Sequence, residues 1–395
     1  MPAQEVGILH RPDRLAGALL SYYGGMMHHL KNGPARAWSP RPLAGALALA
    51  TAALALAACG TDKPSGTDSP GAGSLDADAA VKTVTLVTHG SFNVSEDVLA
   101  QFTEQTGLEV EILPADDAGA MVNQLILTKD APLGDVVFGI DNTFASRAIA
   151  EGVLEEYVSP AAGPEQDNYA ADLQGQLTAV DFSDVCLNAD IRAVPDGAAL
   201  TFDDLLKPEF KDQLVMENPA TSSPGLAFLL ATIAAKGEDG YLDYWRQLRD
   251  NGLKVVSGWN EAYYDEFSGP SSSGQRPLAV SYASSPPSEI PEGAAEPATA
   301  AALNTCFRQV EYAGVLKGAA NPEGARQVVD FFLSPAFQAD LPGQMWVYPV
   351  KADTPLPEDW AKWAPLAAQP WSVPAEDIAE GRERWLADFT DQILG

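Results

Sequence analysis

The chain has 395 residues and is strongly acidic, with 54 Asp and Glu against 24 Lys and Arg and a formal net charge of −30. A surface of that sign repels nucleic acids, so we expect no nucleic-acid partner. The same charge attracts cationic small molecules, although acidity also serves simply to keep an exported protein soluble.

The N-terminus carries the pattern of a bacterial lipoprotein signal. An Ala- and Leu-rich run from Leu43 to Ala58 follows basic residues and is shorter than the about 20 apolar residues that span a bilayer. We therefore predict a signal peptide over residues 1–58, lipidation of Cys59, and an extracytoplasmic protein that contacts the membrane only through its lipid anchor. Residues 59–82 are rich in Gly, Ser, Thr, Pro and Asp, which indicates a flexible tether.

Short β-branched strands alternate with amphipathic helices in the first part of the folded body. The pattern predicts strands over Thr83–Thr88, Leu108–Leu113 and Asp135–Ile140, with helices between them. The third strand is apolar almost throughout, which is typical of a parallel strand that is buried on both faces. The fold class that follows is α/β.

The alternation continues after Thr178. The pattern predicts strands at Phe182–Leu187, Gln213–Glu217, Leu253–Ser257, Pro277–Tyr282 and Gln309–Val315. It predicts helices at Phe202–Leu206, Pro224–Ala235, Tyr241–Asp250, Pro322–Leu333 and Ala375–Leu394. Segments rich in Ser, Pro and Gly predict loops at Ser268–Gln275 and Pro286–Ala302. The length of the folded body predicts two domains.

Two cysteines remain once Cys59 is assigned to lipidation. Cys186 and Cys306 both lie in apolar, strand-like segments. An oxidising compartment and an even count favour a disulfide between them, and two buried free thiols are the alternative.

The folded body lacks the common sequence signatures of enzymes and nucleotide sites. It contains no Gly-rich phosphate loop with a Lys, no Gly-x-Ser-x-Gly elbow between a strand and a helix, and no pair of His at metal spacing. His89 is the only histidine after the leader, which argues against His-based catalysis and against a multi-His metal site. We expect a protein that is not an enzyme and that uses neither a cofactor nor a metal.

Aromatic side chains recur at the ends of predicted strands. Trp259 and Tyr263 follow the predicted strand that ends at Ser257. Tyr282 ends another strand, and Trp346 lies late in the chain. Ligands of open α/β sheets bind beyond the carboxyl ends of strands, so these aromatics lie where a pocket is expected. For each of them the alternative is a packing role in the core, where aromatics dominate the buried area.

Six segments, taken in order, resemble the thiamine-binding proteins of bacterial ABC importers. They are Val87–Phe92, Phe138–Asn142, Asn218–Gly225, Gly258–Tyr263, Ser281–Pro286 and Trp346–Pro349, and they extend over nearly the whole folded body. The resemblance implies a two-lobed type II periplasmic binding protein fold with crossing hinge segments. It places residues 83–180 and 306–395 in the first lobe and residues 181–305 in the second. The implied activity is capture of thiamine, or of a thiamine phosphate, between the lobes and delivery to an ABC permease.

The resemblance also implies the ligand-binding residues. Aromatic contacts come from Trp259, Tyr282 and Trp346, since a cation–π contact with the thiazolium ring of thiamine is worth about 0.5–2 kcal/mol. Asp117 is the acidic partner for the amino or cationic part of the ligand. A hydroxyl or phosphate of the ligand is assigned to a helix N-terminus and the hydroxyls of Ser222 and Ser223. The remaining predicted contacts are His89, which replaces a Tyr of the family, and Ser91, Asp141, Tyr263 and Ser285.

Two other classes of protein remain open. One is a binding protein of the same fold for ferric iron or a polyamine, although the folded body offers only Tyr263-Tyr264 as an adjacent Tyr pair for iron. The other is a thiamine-degrading enzyme in which Cys186 or Cys306 acts as a nucleophile beside a carboxylate, a role that a disulfide between them excludes. We expect a monomer that binds a small molecule.

Overall fold

The computed structural model describes residues 82–169 and 173–395. The predicted signal peptide, the predicted lipidation site at Cys59 and nearly all of the predicted tether lie outside the described residues. Within these two ranges, no helix is both long enough and apolar enough to cross a membrane.

The first part of the described chain contains three parallel strands with helices between them. Strand β1 (Thr83–Thr88) pairs with β2 (Glu109–Pro114) on one side and with β3 (Val136–Asp141) on the other. Helices α1 (Glu96–Thr106) and α2 (Ala118–Leu127) form the connections. β3 is buried along its whole length, in agreement with its nearly unbroken apolar sequence.

The local sequence explains where α1 begins and ends. Ser95 precedes the helix in an extended conformation, and acidic residues occupy the first turn, where they interact favourably with the helix dipole. Gly107 ends the helix at a φ of 72°, a left-handed conformation that a residue without a Cβ adopts at low cost. Val98 and Phe102 lie one turn apart and form the buried face.

Two long antiparallel strands occupy the middle of the sheet. They are β4 (Thr178–Asp190) and β8 (Thr299–Val315), which pair with each other over most of their length. β8 also pairs with β3, so that β3, β8 and β4 lie side by side. Every residue of β4 is buried, because a strand on each side and layers of side chains above and below enclose it.

The strands that lie between β4 and β8 in sequence form the other end of the same sheet. β7 (Leu278–Tyr282) pairs antiparallel with β4 and parallel with β5 (Leu214–Glu217), and β5 pairs parallel with β6 (Lys254–Val256). The strand order is β2-β1-β3-β8-β4-β7-β5-β6, and the short strand β9 (Tyr348–Pro349) pairs with β4. The two long strands therefore connect two sets of shorter, mostly parallel strands.

The helices after α2 are α3 (Ala145–Ala150), α4 (Ser223–Lys236), α5 (Tyr241–Asp250), α6 (Pro322–Phe332), α7 (Pro335–Gln344), α8 (Glu358–Trp363) and α9 (Ala375–Phe389). α4 is apolar on nearly all sides and is buried from its first residue to Ile233. α5 is amphipathic, with Tyr241, Tyr244, Trp245 and Leu248 buried at the spacing of a helix face. The indole Nε1 of Trp245 donates to Thr232 Oγ1 at 2.8 Å, which fixes α5 against α4.

The prediction of a loop over residues 286–302 is wrong at both of its ends, where the structure has regular secondary structure. Pro286–Glu289 forms a short 3-10 helix, and β8 begins at Thr299. The first residues of β8 are largely alanines, which have little β propensity of their own, but they pair with the last residues of β4. Tertiary pairing therefore overrides the local sequence. The predicted helix at Phe202–Leu206 is also shorter in the structure, where only Asp204–Leu206 forms a 3-10 turn.

A disulfide joins β4 to β8. Cys186 and Cys306 are bonded to each other, with their Cα atoms 4.2 Å apart and both residues fully buried. The bond lies where the pairing register of the two strands shifts, between Val185 and Leu187. Neither sulfur is a free thiol, which excludes the nucleophile of the enzyme alternative.

Removal of this disulfide is expected to lower the free energy of unfolding by about 4 kcal/mol, because the bond joins residues 120 positions apart and so restricts the unfolded chain. Chemical denaturation of a Cys186→Ala/Cys306→Ala variant and of the wild-type protein, each with and without a reductant, measures the effect. The reductant should bring the wild-type protein close to the variant and leave the variant unchanged. Equal stability of the oxidised and reduced wild-type protein would contradict this prediction.

Candidate functional site

Two adjoining cavities lie beyond the ends of several strands. The smaller has a volume of about 260 Å³ and the larger of about 530 Å³. The residues that line both are Gly90, Ser91, Trp259, Asn260 and Tyr264. Because they share a wall, the two cavities are treated together and called the cleft.

Aromatic rings surround the smaller cavity. Its lining includes Trp259, Tyr264, Tyr282 and Trp346. Trp259 is the central ring, since its centroid lies between 5.4 and 6.1 Å from those of the other three. Behind Trp259, the ring of Tyr263 is stacked at 4.9 Å with 18° between the two planes. A cavity enclosed by such rings is suited to a flat or positively charged ligand, because ring faces attract cations.

The fold brings these residues together from distant parts of the sequence. His89 follows β1, Asp117 follows β2, Trp259 follows β6 and Tyr282 ends β7. The carboxyl ends of strands are where open α/β sheets bind ligands. The indole Nε1 of Trp259 donates to Ser281 Oγ at 2.9 Å, so the last residues of β7 fix the orientation of this ring.

Trp346 has an unusual main-chain conformation. Its φ of 57° lies in the left-handed region, where a side chain costs about 1–3 kcal/mol. The main-chain oxygen of Trp346 accepts a hydrogen bond from Ser284 Oγ at 2.5 Å, which holds the strained residue in place. Strain of this kind is concentrated at ligand sites in proteins, and here it occurs in the wall of the cleft.

Asp117 connects two walls of the larger cavity. As the N-cap of α2, it accepts a hydrogen bond from Ala118 N through Oδ1 at 2.7 Å. Through Oδ2 it accepts a second from the main-chain N of Trp259 at 3.0 Å. One carboxylate therefore holds the segment after β2 against the segment after β6.

Carboxylates predominate among the charged groups that line the cleft. Asp116, Asp117, Glu261, Asp265 and Glu311 contribute carboxylates, and in the described part of the chain no Lys or Arg lines the two cavities. Carboxylates grouped in a cleft with low-dielectric walls create a negative potential inside it. The cleft is therefore suited to a cation and unsuited to a phosphate.

His89 and Glu311 form a buried pair in the wall of the smaller cavity. His89 Nε2 lies 3.2 Å from Glu311 Oε1, and His89 Nδ1 lies 2.9 Å from the hydroxyl of Ser91. Gly139, at a φ of 95°, leaves room for the imidazole, since a Cβ there would lie 2.2 Å from His89 Cδ2. Burial works to lower the pKa of His89, but the neighbouring carboxylates, Glu311 foremost, outweigh it and raise this pKa above its ordinary value.

Two more carboxylates lie beside Glu311 in the sheet. Asp141 of β3 and Asp181 of β4 both pair in register with Glu311 of β8, and all three residues are buried. Burial raises the pKa of Asp141 to about 6, even though Thr143 donates to its Oδ1 through both N and Oγ1. Burial, together with the charge of Glu311, raises the pKa of Asp181 well above its ordinary value. These carboxylates therefore bind protons more readily than exposed ones do.

The structure divides the predicted ligand contacts into two groups. His89, Ser91, Asp117, Trp259, Tyr282 and Trp346 line the cleft. The second group is buried and lines neither cavity, and it consists of Asp141, Ser222, Ser223, Tyr263 and Ser285. In this group, the hydroxyl of Tyr263 donates to Glu289 Oε1 at 2.9 Å, and the hydroxyls of Ser285 and Ser281 are 3.2 Å apart. Of this group, Tyr263 stacks on Trp259, and Ser285 contacts the serine that accepts from the Trp259 indole.

Several cleft residues are missed by the sequence analysis. Among them are Phe92, Asn93, Asp116, Asn260, Glu261, Tyr264, Asp265, Glu311, Gln344 and Met345. Tyr264 is adjacent to a predicted residue, but the π-helical segment Glu261–Glu266 turns Tyr264 toward the cavity and buries Tyr263. Glu311 carries no local signal, because its place depends on the register of β8 with its two neighbours.

Comparisons of the sequence and of the fold with known proteins point to the same family of proteins. The model of the bacterial extracellular solute-binding protein family matches residues 131–373. The thiamine-binding periplasmic protein of Salmonella typhimurium is 27% identical over 317 residues, which cover 78% of this chain and 92% of that protein. Iron uptake protein A1 of Synechocystis is 21% identical over 314 residues, which cover 77% of this chain and 86% of that protein. The solved structure of a periplasmic thiamin-binding protein superposes with a TM-score of 0.69 and 25% identity, over 79% of this chain and 96% of that one.

These matches confirm the expected α/β, type II periplasmic binding protein fold. Proteins of this fold and family are non-enzymatic components of transport, in agreement with the expectation that the chain is not an enzyme. Such proteins work outside the cytoplasm. Among the residues that the structure describes, no group of three or more His, Cys, Asp or Glu side chains is placed to hold a metal ion.

Replacement of Asp141 by Asn is expected to stabilise the protein more at about pH 7.5 than at about pH 4.5. The pKa of Asp141 rises from an ordinary 3.8 to about 6 on folding, so the folded state keeps this proton longer and the wild-type protein loses stability as the pH rises through that window. Asn still accepts from Thr143 but does not titrate, so the variant avoids a loss of up to about 3 kcal/mol.

Urea denaturation of the wild-type and Asp141→Asn proteins at the two pH values measures this difference. Asp130→Asn, in an exposed turn, is the matched control and should change stability equally at both pH values. A stability difference between the Asp141→Asn and wild-type proteins that does not change with pH would contradict the burial argument.

Proposed function

The chain belongs to the family of bacterial extracellular solute-binding proteins, and from this we propose that it captures thiamine in the cleft and delivers it to an ABC permease. Proteins of this family present a solute to a membrane transporter without transforming it. One observation carries the proposal. The rings of Trp259, Tyr264, Tyr282 and Trp346, here called the aromatic cage, share the cleft with five carboxylates, and no Lys or Arg among the described residues lines it.

The chemistry of thiamine matches this lining. Its thiazolium ring has a permanent positive charge, and its aminopyrimidine ring is flat and carries an amino group. The rings of Trp259, Tyr282 and Trp346 offer faces for stacking and for cation–π contacts of about 0.5–2 kcal/mol each. Glu311 in the smaller cavity and Asp117 in the larger one supply carboxylates, as a counter-charge and as an acceptor for the amino group.

The same lining favours thiamine over its phosphates. A phosphate in the cleft meets carboxylates without a Lys or Arg to offset their charge. The serines assigned to the phosphate, Ser222 and Ser223, are buried at the start of α4, and the hydroxyl of Ser223 favours the ionised form of Asp141 beside it. A phosphate at this helix N-terminus therefore approaches a carboxylate.

We assign residues 83–180 and 306–395 to one lobe and residues 181–305 to the other, with β4 and β8 as the crossing segments. The strand order supports this division, since β2, β1 and β3 lie on one side of the two long strands and β7, β5 and β6 on the other. The cleft then lies between the lobes. The hydrogen bond from Trp259 N to Asp117 joins the lobes across it.

A ferric iron site, suggested by the iron uptake relative, is not favoured by the adjacent tyrosines. A tyrosine side chain coordinates ferric iron through its ionised phenolate oxygen. The hydroxyl of Tyr263 donates to Glu289, and burial raises the pKa of this phenol well above its ordinary value. Tyr263 therefore stays protonated and turned away from the cleft.

Calorimetric titration of the purified protein with thiamine tests the proposal. We expect one site in the wild-type protein and a loss of affinity of about 10-fold or more in Trp346→Ala, because one cation–π contact and its buried ring area are removed. The matched control is Trp371→Ala, since Trp371 is 37% exposed and does not line the cleft, and its affinity should stay unchanged.

Titrations with thiamine phosphates, ferric iron and a polyamine complete the test. Thiamine phosphates should bind more weakly than thiamine. Absence of thiamine binding together with tight binding of iron or a polyamine would transfer the assignment to that ligand. Turnover of thiamine to a product would contradict a pure binding role.

We also propose that Cys59 is lipidated and anchors the protein to the membrane, a role supported by the short apolar run and the small residues before it. Expression of Cys59→Ala in a bacterial host should move the protein from the membrane fraction to the soluble fraction. Mass spectrometry of the wild-type protein should show a mature chain that begins at Cys59 with added acyl groups. An unmodified Cys59, or a variant that stays with the membrane, would contradict the anchor.

A further inference from the structure

The smaller cavity contains a single acidic residue in its lining, Glu311. Its side chain is only 5% exposed, and it shares the cavity with the rings of Trp259, Tyr282 and Trp346. A carboxylate buried beside aromatic rings is poorly hydrated, so its charge acts strongly on whatever occupies the cavity.

Glu311 has three titratable neighbours outside the ring of aromatic side chains. His89 Nε2 is 3.2 Å away, and Asp141 and Asp181 pair with Glu311 from the strands on either side. Asp181 is fully buried, and neither of its oxygens accepts a hydrogen bond within the described part of the chain. Such a group is stable only when it is protonated, and a proton on Asp181 supplies a hydrogen bond to Glu311.

We propose that Glu311 selects positively charged ligands and that an entering cation replaces a proton held by the groups around Glu311, namely Asp141, Asp181 and His89, here called the acidic row. The proposal depends on the proposed function for the identity of the ligand, but not for the sign of its charge. Binding then releases a proton to the solvent, and affinity rises with pH.

The surroundings of Glu311 determine the direction of this effect. Its titratable neighbours are Asp141 from β3, Asp181 from β4, His89 from the segment after β1 and Tyr282 from β7. Asp117, from the segment after β2, acts on His89 and Tyr282. Burial raises the pKa of Tyr282 well above its ordinary value, so this phenol stays neutral. Arg308, on the same strand as Glu311, forms an ion pair with Asp184 instead, and its Nε lies 2.5 Å from Asp184 Oδ1. When no cation is bound, protons on the acidic row are thus the main source of positive charge that offsets the carboxylates around Glu311.

Calorimetry in two buffers of different ionisation enthalpy counts the protons that leave on binding. For the wild-type protein with thiamine, we expect release of part of a proton near neutral pH and an affinity that increases by about 10-fold as the pH rises from about 5.5 to about 7.5. Glu311→Gln should weaken binding by about 30-fold and remove most of the pH dependence, because it leaves the ligand charge without its partner.

Two further variants separate charge recognition from a structural effect. Asp181→Asn keeps Glu311 but removes the neighbouring proton, so it should retain affinity within about threefold and release fewer protons. Glu292→Gln, in an exposed turn, is the control and should behave as the wild-type protein. Unchanged thiamine affinity in Glu311→Gln, or unchanged proton release in Asp181→Asn, would overturn the proposal.

A pair of simpler probes distinguishes this proposal from the assignment of thiamine. N-methylpyridinium is a flat cation, and toluene is an uncharged ring of the same size. If thiamine does not bind but N-methylpyridinium binds more tightly than toluene and releases protons, the thiamine assignment fails and the role of Glu311 stands. The role of Glu311 is overturned if N-methylpyridinium and toluene bind equally tightly. It is also overturned if neither thiamine nor N-methylpyridinium binds.

Discussion

The antiparallel pairing of β4 with β8 is the constraint on which the rest of the structure depends. The two strands pass through the middle of the sheet, and the parallel strands on both sides attach to them or to their neighbours. Their register places Asp181 opposite Glu311, and the pairing of β8 with β3 adds Asp141 to the same row. The pairing that organises the fold thus also brings three acidic residues together, one of which lines the cleft.

Aromatic and acidic groups in the cleft reinforce each other. Rings that exclude water lower the local dielectric, so each carboxylate acts more strongly on a nearby charge. The same burial makes an unpaired carboxylate costly, and the raised pKa values of Asp141 and Asp181 reflect that cost. A cation in the aromatic cage lowers the free-energy cost of keeping the neighbouring buried carboxylates ionised. An anion or an uncharged ring does not.

The sequence predicts those parts whose signal is local. The predicted bounds of β1 and α5, Thr83–Thr88 and Tyr241–Asp250, are those of the structure, and α5 buries one clear face. Strand ends identify Trp259 and Tyr282 as cleft residues by the same logic. The alanine-rich start of β8, the inward turn of Tyr264 and the position of Glu311 depend on distant partners, so no pattern in their own segments indicates them.

The disulfide between Cys186 and Cys306 has a mechanical consequence. It fastens the two central strands together at the point where their register shifts. Neither strand is free to slide lengthwise along the other while the bond is intact. The covalent bond therefore keeps the alignment of the two central strands fixed at the place where their ladder of hydrogen bonds is interrupted.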